Sequence, residues 1–336
     1  MAVFRKTGVF SAIAVVVFAI FIAGCGSGEK TGDGKRFLSI GTAPPGGAFF
    51  VVGGAIAQVL DQHLADRNWS VSAEATKGTQ ENIRRLAAGE LDVAMANAAI
   101  SYFAVRGEGW DKAYPIRTIA TLAPNIALFI TPADNGVKVL QDLKGERVVV
   151  GPAGAGFEFF LKPILEEHGV AYDDFTPLNN TQAGAVDMLA DGSAAAAFLG
   201  GAVPTASITQ ACAGQDIFFI PFEESARERL IEKYPFFHAA RIPAGTYRGQ
   251  EAEYQGLNVG SMHLITRADL DEETVYQLTK ALYENREEVV KQHPAGKAIN
   301  PQNAIRDTGT PFHPGAIRFY KEIGIWPAEN SGADSE

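Results

Sequence analysis

The feature that excludes most architectures is a periodicity that switches back and forth, with short β-rich apolar runs alternating with helical ones. Phe37–Gly41 has a strand pattern, Ala48–Leu64 a helical one, and Ser70–Ala75 a strand pattern again; Gln80–Ala88 reads as a helix ending at Gly89. Leu91–Ala96 and Ala98–Val105 continue as strand and helix. This order predicts an α/β architecture with a largely parallel sheet. The long apolar segment Ile116–Ile130, interrupted by Pro124, is long enough to carry the chain into a second domain.

Beyond it the pattern restarts. Arg147–Gly151 reads as a strand, Phe157–His168 as a helix, and Thr176–Leu178 as a short strand. Thr181–Ala190 is the next helix, followed by strand Ala194–Leu199, helix Pro204–Ala211 and a closing run, Ile217–Ile220. After Pro221 the order loosens: Glu223–Tyr234 is a helix, Leu257–Thr266 an apolar strand interrupted by Gly260. Asp271 is an N-cap for a helix with Val275, Leu278 and Leu282 on one face. These last elements are expected to return to the first lobe, with crossings near Pro124 and Pro221. The expected division is residues 36–123 and 222–327 for lobe 1, 124–221 for lobe 2, and a polar tail at 328–336.

Each lobe opens on a Gly-rich turn between a strand and a helix. The first is Gly41-Thr42-Ala43-Pro44-Pro45-Gly46-Gly47-Ala48-Phe49-Phe50; the second runs from Gly151 through Pro152-Ala153-Gly154-Ala155-Gly156 to Phe157. Such a turn leaves helix N–H groups without internal partners, which is a receptor for an anion or simply an ordinary connection. Nucleotide loops are excluded: Gly46 is followed by Gly47-Ala48 rather than Lys-Ser/Thr, and Gly151, Gly154 and Gly156 miss the dinucleotide spacing.

The amino terminus reads as an export signal. Arg5 and Lys6 precede the apolar stretch Phe10–Ile22, which stops at Ile22-Ala23-Gly24-Cys25, similar to a bacterial lipobox. Residues 1–24 are then a lipoprotein signal peptide, Cys25 the lipidated first residue, and 25–35 a flexible tether. Cleavage removes two basic residues and no acid, taking the formal charge of −10 to −12. With no basic run in the mature part, nucleic acid is not an expected partner. Cys212, in an Ala-rich helical stretch, is left without a disulfide partner and is expected to be a small buried hydrophobe. No other stretch reads as long and apolar enough to span a bilayer.

His63, His168, His238, His263, His293 and His313 are dispersed, with no metal-ligand spacing, and no nucleophile elbow occurs. No cofactor and no enzymatic activity are expected.

The first turn resembles that of the TAXI family, the substrate-binding receptors of one class of TRAP transporter. The resemblance extends over Thr76-Lys77-Gly78-Thr79-Gln80-Glu81-Asn82, Leu86–Ala94 and Gly151–Glu158. Asp191-Gly192, Phe198-Leu199-Gly200-Gly201-Ala202-Val203-Pro204 and Ile242–Tyr247 fit as well, so that the matches run in order from Phe37 to Trp326. It implies an α/β, two-lobed type II periplasmic-binding-protein fold with a ligand cleft between lobes. It also implies an extracytoplasmic receptor, lipid-anchored in the cell envelope, that delivers a glutamate-like amino acid or dicarboxylate to a TRAP permease. The alternative is a lipoprotein of the same fold that senses ligand or docks a partner without transport.

The expected ligand contacts are Thr42, Gly46, Gly47, Ala48, Phe49, Lys77, Gly78, Thr79, Asn82, Asn97, Gly154, Ala155, Gly156, Phe157, Gly200 and Gly201. Phe49 and Phe157 are expected to wall the cleft, Lys77 to add a full positive charge, Thr79 to cap the Gln80 helix, and Gly47 to allow close backbone approach. Members commonly have serine at Ala155 and threonine at Phe157, so this side of the pocket is expected to be drier than usual.

Overall fold

The computed structural model describes residues 34–45 and 47–327. Cys25, Gly46, the expected signal peptide, most of the expected tether and the polar tail lie outside the described residues. In chain order the elements are β1 (Arg36–Gly41), α1 (Ala48–Leu64), β2 (Trp69–Glu74), α2 (Thr79–Ala87), β3 (Val93–Asn97), α3 (Ala98–Arg106), β4 (Ile116–Thr121) and β5 (Ile126–Pro132). There follow β6 (Arg147–Val149), α4 (Glu158–Glu167), β7 (Thr176–Leu178), α5 (Gln182–Ala190), β8 (Ala196–Gly201), α6 (Ala206–Gly214), β9 (Ile217–Ile220) and α7 (Glu224–Lys233). The chain ends with β10 (Phe237–Ile242), β11 (Tyr254–Val259), β12 (Met262–Arg267), α8 (Glu272–Glu284), α9 (Arg286–Gln292), α10 (Pro301–Ala304) and α11 (Pro314–Glu322).

Two sheets define two lobes. The five-stranded sheet has the order β2-β1-β3-β12-β4, with β1 parallel to β2 and β3 and with β12 antiparallel to both its neighbours. The seven-stranded sheet has the order β10-β11-β5-β8-β6-β7, and β9 also pairs with β5. Strands of β-branched and aliphatic residues flanked by helices on the crossovers are what the alternating periodicity encodes. Lobe 1 is built on α1, which buries Val52, Ile56, Val59 and Leu60 among β1, β4, β12, α8 and α11. By length and composition α1 and the turn after it are apolar enough to cross a membrane, contrary to the expectation above; here the helix is part of the lobe 1 core.

The chain crosses between lobes twice, at Leu122–Asn125 and at Gly260–Ser261. The first is the expected crossing near Pro124. The second corrects the expectation at Pro221: α7, β10 and β11 stay with lobe 2, and only from β12 onward does the chain belong to lobe 1. The two crossings run side by side. Leu122 N–H donates to Met262 C=O at 2.7 Å, Met262 N–H to Ala123 C=O at 2.8 Å and Val259 N–H to Asn125 C=O at 2.9 Å. The Asn258 side chain completes the joint, accepting from Asn125 N–H at 3.0 Å and donating to Ser261 Oγ at 2.8 Å. Gly260 has φ +108°, and a Cβ on it would lie 2.5 Å from Asn97 Oδ1, so this joint requires glycine. Cys212 is a buried free thiol on α6.

Candidate functional site

The carboxyl ends of the parallel strands in both sheets face a cavity of about 420 Å³ between the lobes. Six helices begin around it. The N-termini of α1, α2, α4 and α6 have no side-chain cap; that of α3 is capped by Asn97 and that of α5 by Thr181, whose hydroxyl accepts from Gly184 N–H at 3.1 Å. First-turn N–H groups thus remain for a ligand, and each helix dipole favours negative charge there. Lys77 is the cationic side chain on the wall, His293 adds an imidazole, and among the described residues no aspartate or glutamate lines it.

The polar side chains around the cavity largely hold the backbone in place. Thr42 Oγ1 donates to Glu74 C=O at 2.7 Å, while Asn82 Nδ2 donates to Thr42 C=O at 2.7 Å and Met95 C=O at 2.9 Å. In lobe 2, Gln182 donates to Gly200 C=O and accepts from Ser207 Oγ, each at 2.7 Å, tying α5 to β8 and α6. Tyr247 OH accepts from Thr205 N–H at 2.8 Å, and burial raises its pKa.

Of the expected contacts, Thr42, Gly47, Ala48, Phe49, Lys77, Gly78, Thr79, Asn97, Ala155, Phe157, Gly200 and Gly201 are brought together on this wall. Three are placed elsewhere. Asn82 is fully buried; its Nδ2 group is taken up by the two carbonyls just named, while its Oδ1 is buried without a partner. Gly156, at φ +88°, faces Ile100 and Gln80, and Gly154 lies at a separate surface hollow beside Lys77, Arg84 and Arg85. Thr79 is not the cap of α2: Gly78 holds that position, and Thr79 Oγ1 accepts from Asn97 N–H at 3.0 Å. Asn97 instead caps α3, its Oδ1 accepting from Ala99 N–H at 2.9 Å, while its amide reaches Gly260 C=O at 2.9 Å.

The lobes approach each other through their smallest residues. A Cβ on Gly78 would sit 3.6 Å from Ala155 Cβ, and one on Gly201 would sit 3.7 Å from Ala48 Cβ. Ala155 and Gly201 are thus points of lobe-to-lobe approach as well as wall. Beside the cavity, an aromatic contact continues the join: Phe159 stacks on Phe103 at 5.8 Å and on Trp110 at 5.3 Å between ring centroids.

Sequence reasoning missed Pro44, Pro45, Val51, Asn125, Pro204 and His293 among the residues of the wall. Pro44 and Pro45 were quoted in the first turn without a role, and Val51 lies three residues after Ala48 on α1, a spacing that shares a face. His293 has no local signal; it is delivered by the end of α9. Its Nδ1 accepts from Ala295 N–H at 3.1 Å, which places the proton of the neutral ring on Nε2, and burial lowers its pKa.

Comparison with known proteins follows the same outline. A family model described as "NMT1-like family" matches residues 40–324. The chain belongs to the NMT1-like family. Among solved structures, PhnD1 of Prochlorococcus marinus (MIT 9301), in complex with methylphosphonate, aligns over 86% of this chain and 96% of that chain, with 14% identity and a TM-score of 0.54. A binding protein component of an ABC phosphonate transporter from Pseudomonas aeruginosa aligns over 78% and 79%, with 14% identity and a TM-score of 0.51. A Xanthomonas citri protein bound to ATP aligns over 86% and 95%, with 10% identity and a TM-score of 0.51. This NMT1-like chain therefore has the two-lobed type II periplasmic-binding-protein fold that the sequence predicted.

Proposed function

We propose that the protein is an extracytoplasmic solute receptor that captures a small organic anion between its lobes and delivers it to a membrane transporter. The observation that carries this reading is the interlobe cavity, with uncapped helix N-termini from both lobes turned toward it and no carboxylate on its wall among the described residues. Ligand touches both lobes only when they are together, so binding free energy shifts the population toward the closed form. The crossings at Leu122–Asn125 and Gly260–Ser261 are where that rotation is absorbed. The solved structures similar in fold include a phosphonate-transport binding protein, which is consistent with an anion as cargo.

The finer assignment is to the TAXI receptors, with a TRAP permease as partner and a lipid anchor at Cys25. It is supported by the ordered sequence matches and the lipobox-like Ile22-Ala23-Gly24-Cys25. A thermal-shift screen of carboxylates, sulfonates and phosphonates tests the receptor reading. At about 100-fold excess over Kd, a true ligand adds about 2.7 kcal/mol of stability. A flat screen, with no ligand retained through purification by native mass spectrometry, sinks it.

A further inference from the structure

The cavity wall is divided in chemistry, and the division specifies more than charge. Phe49, Val51, Pro44 and Pro45 from lobe 1 and Phe157 and Pro204 from lobe 2 contribute apolar side chains to the wall. Val51 is one of three large hydrophobic side chains exposed among the described residues, at 43%; the other two, Phe37 and Val139, are remote from the cavity. An apolar side chain left open inside a cavity is complementary to an apolar part of a ligand. Ala48 and Val51 share one face of α1, so the donor-bearing helix end adjoins the apolar surface.

The acceptor side has no charged group among the described residues. An ammonium buried in this cavity needs oxygen acceptors, preferably a carboxylate, and among the described residues the wall has neither aspartate nor glutamate. Several carbonyl and amide oxygens at hand are already engaged: Thr42 C=O accepts from Asn82 and Thr76, Gly200 C=O from Gln182, and Gln182 Oε1 from Ser207. The side-chain amides of Asn125 and Gln210 also line the wall, but they are neutral and give an ammonium no counter-charge. Donors are plentiful by contrast, with the helix amides, Lys77 and the Nε2–H of His293. The volume of about 420 Å³ falls within the roughly 300–1,000 Å³ range of small-molecule sites.

We infer that the ligand is an organic anion with a substantial apolar body and no ammonium group, bound by main-chain amides at its acidic end and by the Phe49–Val51–Phe157 surface along its length. The inference rests on the receptor reading and narrows it. It departs from the glutamate-like amino acid expected from the sequence, because such a ligand brings a positive charge to a wall without a counter-charge and leaves the apolar surface uncovered.

Calorimetric titration of the full-length protein with matched probes tests it: octanoate, 2-aminooctanoate, L-glutamate and succinate. Octanoate is expected to bind at least tenfold more tightly than each of the other three. Val51→Asn, a change at a half-open position, is expected to weaken octanoate binding about fivefold or more with little change in Tm. Equal or tighter binding of 2-aminooctanoate or L-glutamate overturns the exclusion of ammonium and leaves the receptor reading standing. Tightest binding by succinate, or unchanged octanoate affinity in the Val51→Asn variant, overturns the apolar body. Failure of all four probes together with an empty thermal-shift screen overturns both readings.

Discussion

The two Gly-rich turns look like counterparts in sequence and use glycine for opposite reasons. In lobe 1, Gly47 sits at the start of α1 with φ −89° and ψ 155°, a conformation open to any residue, and a Cβ there would meet only Pro44 C=O at 3.7 Å. Gly47 is not required by its own conformation; the close backbone approach expected of it is an approach by a ligand, and what it leaves is unobstructed space beside the helix end. In lobe 2, Gly151, Gly154 and Gly156 all have positive φ, at +99°, +76° and +88°. A Cβ on Gly151 would lie 2.3 Å from Cδ2 of Phe157, whose ring folds back over the turn. One turn is glycine-rich for access, the other for its own conformation, and a motif match cannot distinguish them.

The largest effect expected from this contrast is at Gly151. Gly151→Ala combines a positive-φ alanine with overlap on a ring, and should cost about 3 kcal/mol in chemical denaturation. Gly47→Ala in the same experiment should cost less than about 1 kcal/mol. Similar losses at both positions would break the comparison.

The lobes are also expected to part ways in acid. In lobe 1, His263 is fully buried, with Nε2 2.8 Å from Thr308 Oγ1, and burial pushes its pKa down to about 3. Its folded value lies below the unfolded value of about 6.5, so stability is complete above pH 6.5 and is lost as the pH falls toward 3. The loss should reach about 2 kcal/mol at pH 5. In lobe 2, His168 is lowered mainly by burial, but its bond to Ile164 C=O and the charge of Glu223 oppose the shift. Hydrogen exchange between pH 7 and pH 5 should therefore show lobe 1 loosening first, and His263→Asn should flatten the acid slope. An unaltered slope in that variant would remove His263 as its cause.

Smaller effects concern binding. Gly47→Val should change Tm little yet weaken the best anionic ligand about tenfold, since its side chain enters the space in front of α1; full affinity would take that turn out of the site. Lys77 is exposed and makes no ion pair among the described residues. Lys77→Met should reduce affinity less than tenfold, and the difference should shrink as salt rises. An effect that persists at high salt would mean that Lys77 contacts the ligand in a dry environment.

Much of this was legible because it is local. β1, α1 and the turn between them follow from hydrophobic spacing and the breakers Pro44 and Pro45, and Asp271 does cap α8, accepting from Thr274 N–H at 2.8 Å. What escaped depends on distant partners. β10 contains Ala239, Ala240 and Arg241, weak strand formers, and is a strand because β11 runs beside it from Phe237↔Val259 to Ile242↔Tyr254. The second crossing was assigned to Pro221, where the local pattern breaks, instead of Gly260, whose requirement arises from the Asn97 side chain far away in sequence. The Asn82 Nδ2 group and the Thr79 hydroxyl are suited to a ligand, yet both bond the backbone, a distinction visible only once the carbonyl of Thr42 and the amide of Asn97 are in place.

The approach of Gly78 to Ala155 has one more consequence. Where two jaws meet through long side chains, the stopping angle is soft, because rotamers yield. Here a glycine backbone faces a single methyl group, with room between them for one carbon at ordinary contact distance. The angle between the lobes would then be left to the ligand and the two crossings rather than to side chains at positions 78 and 155, and only a side chain longer than one carbon there would wedge the lobes apart.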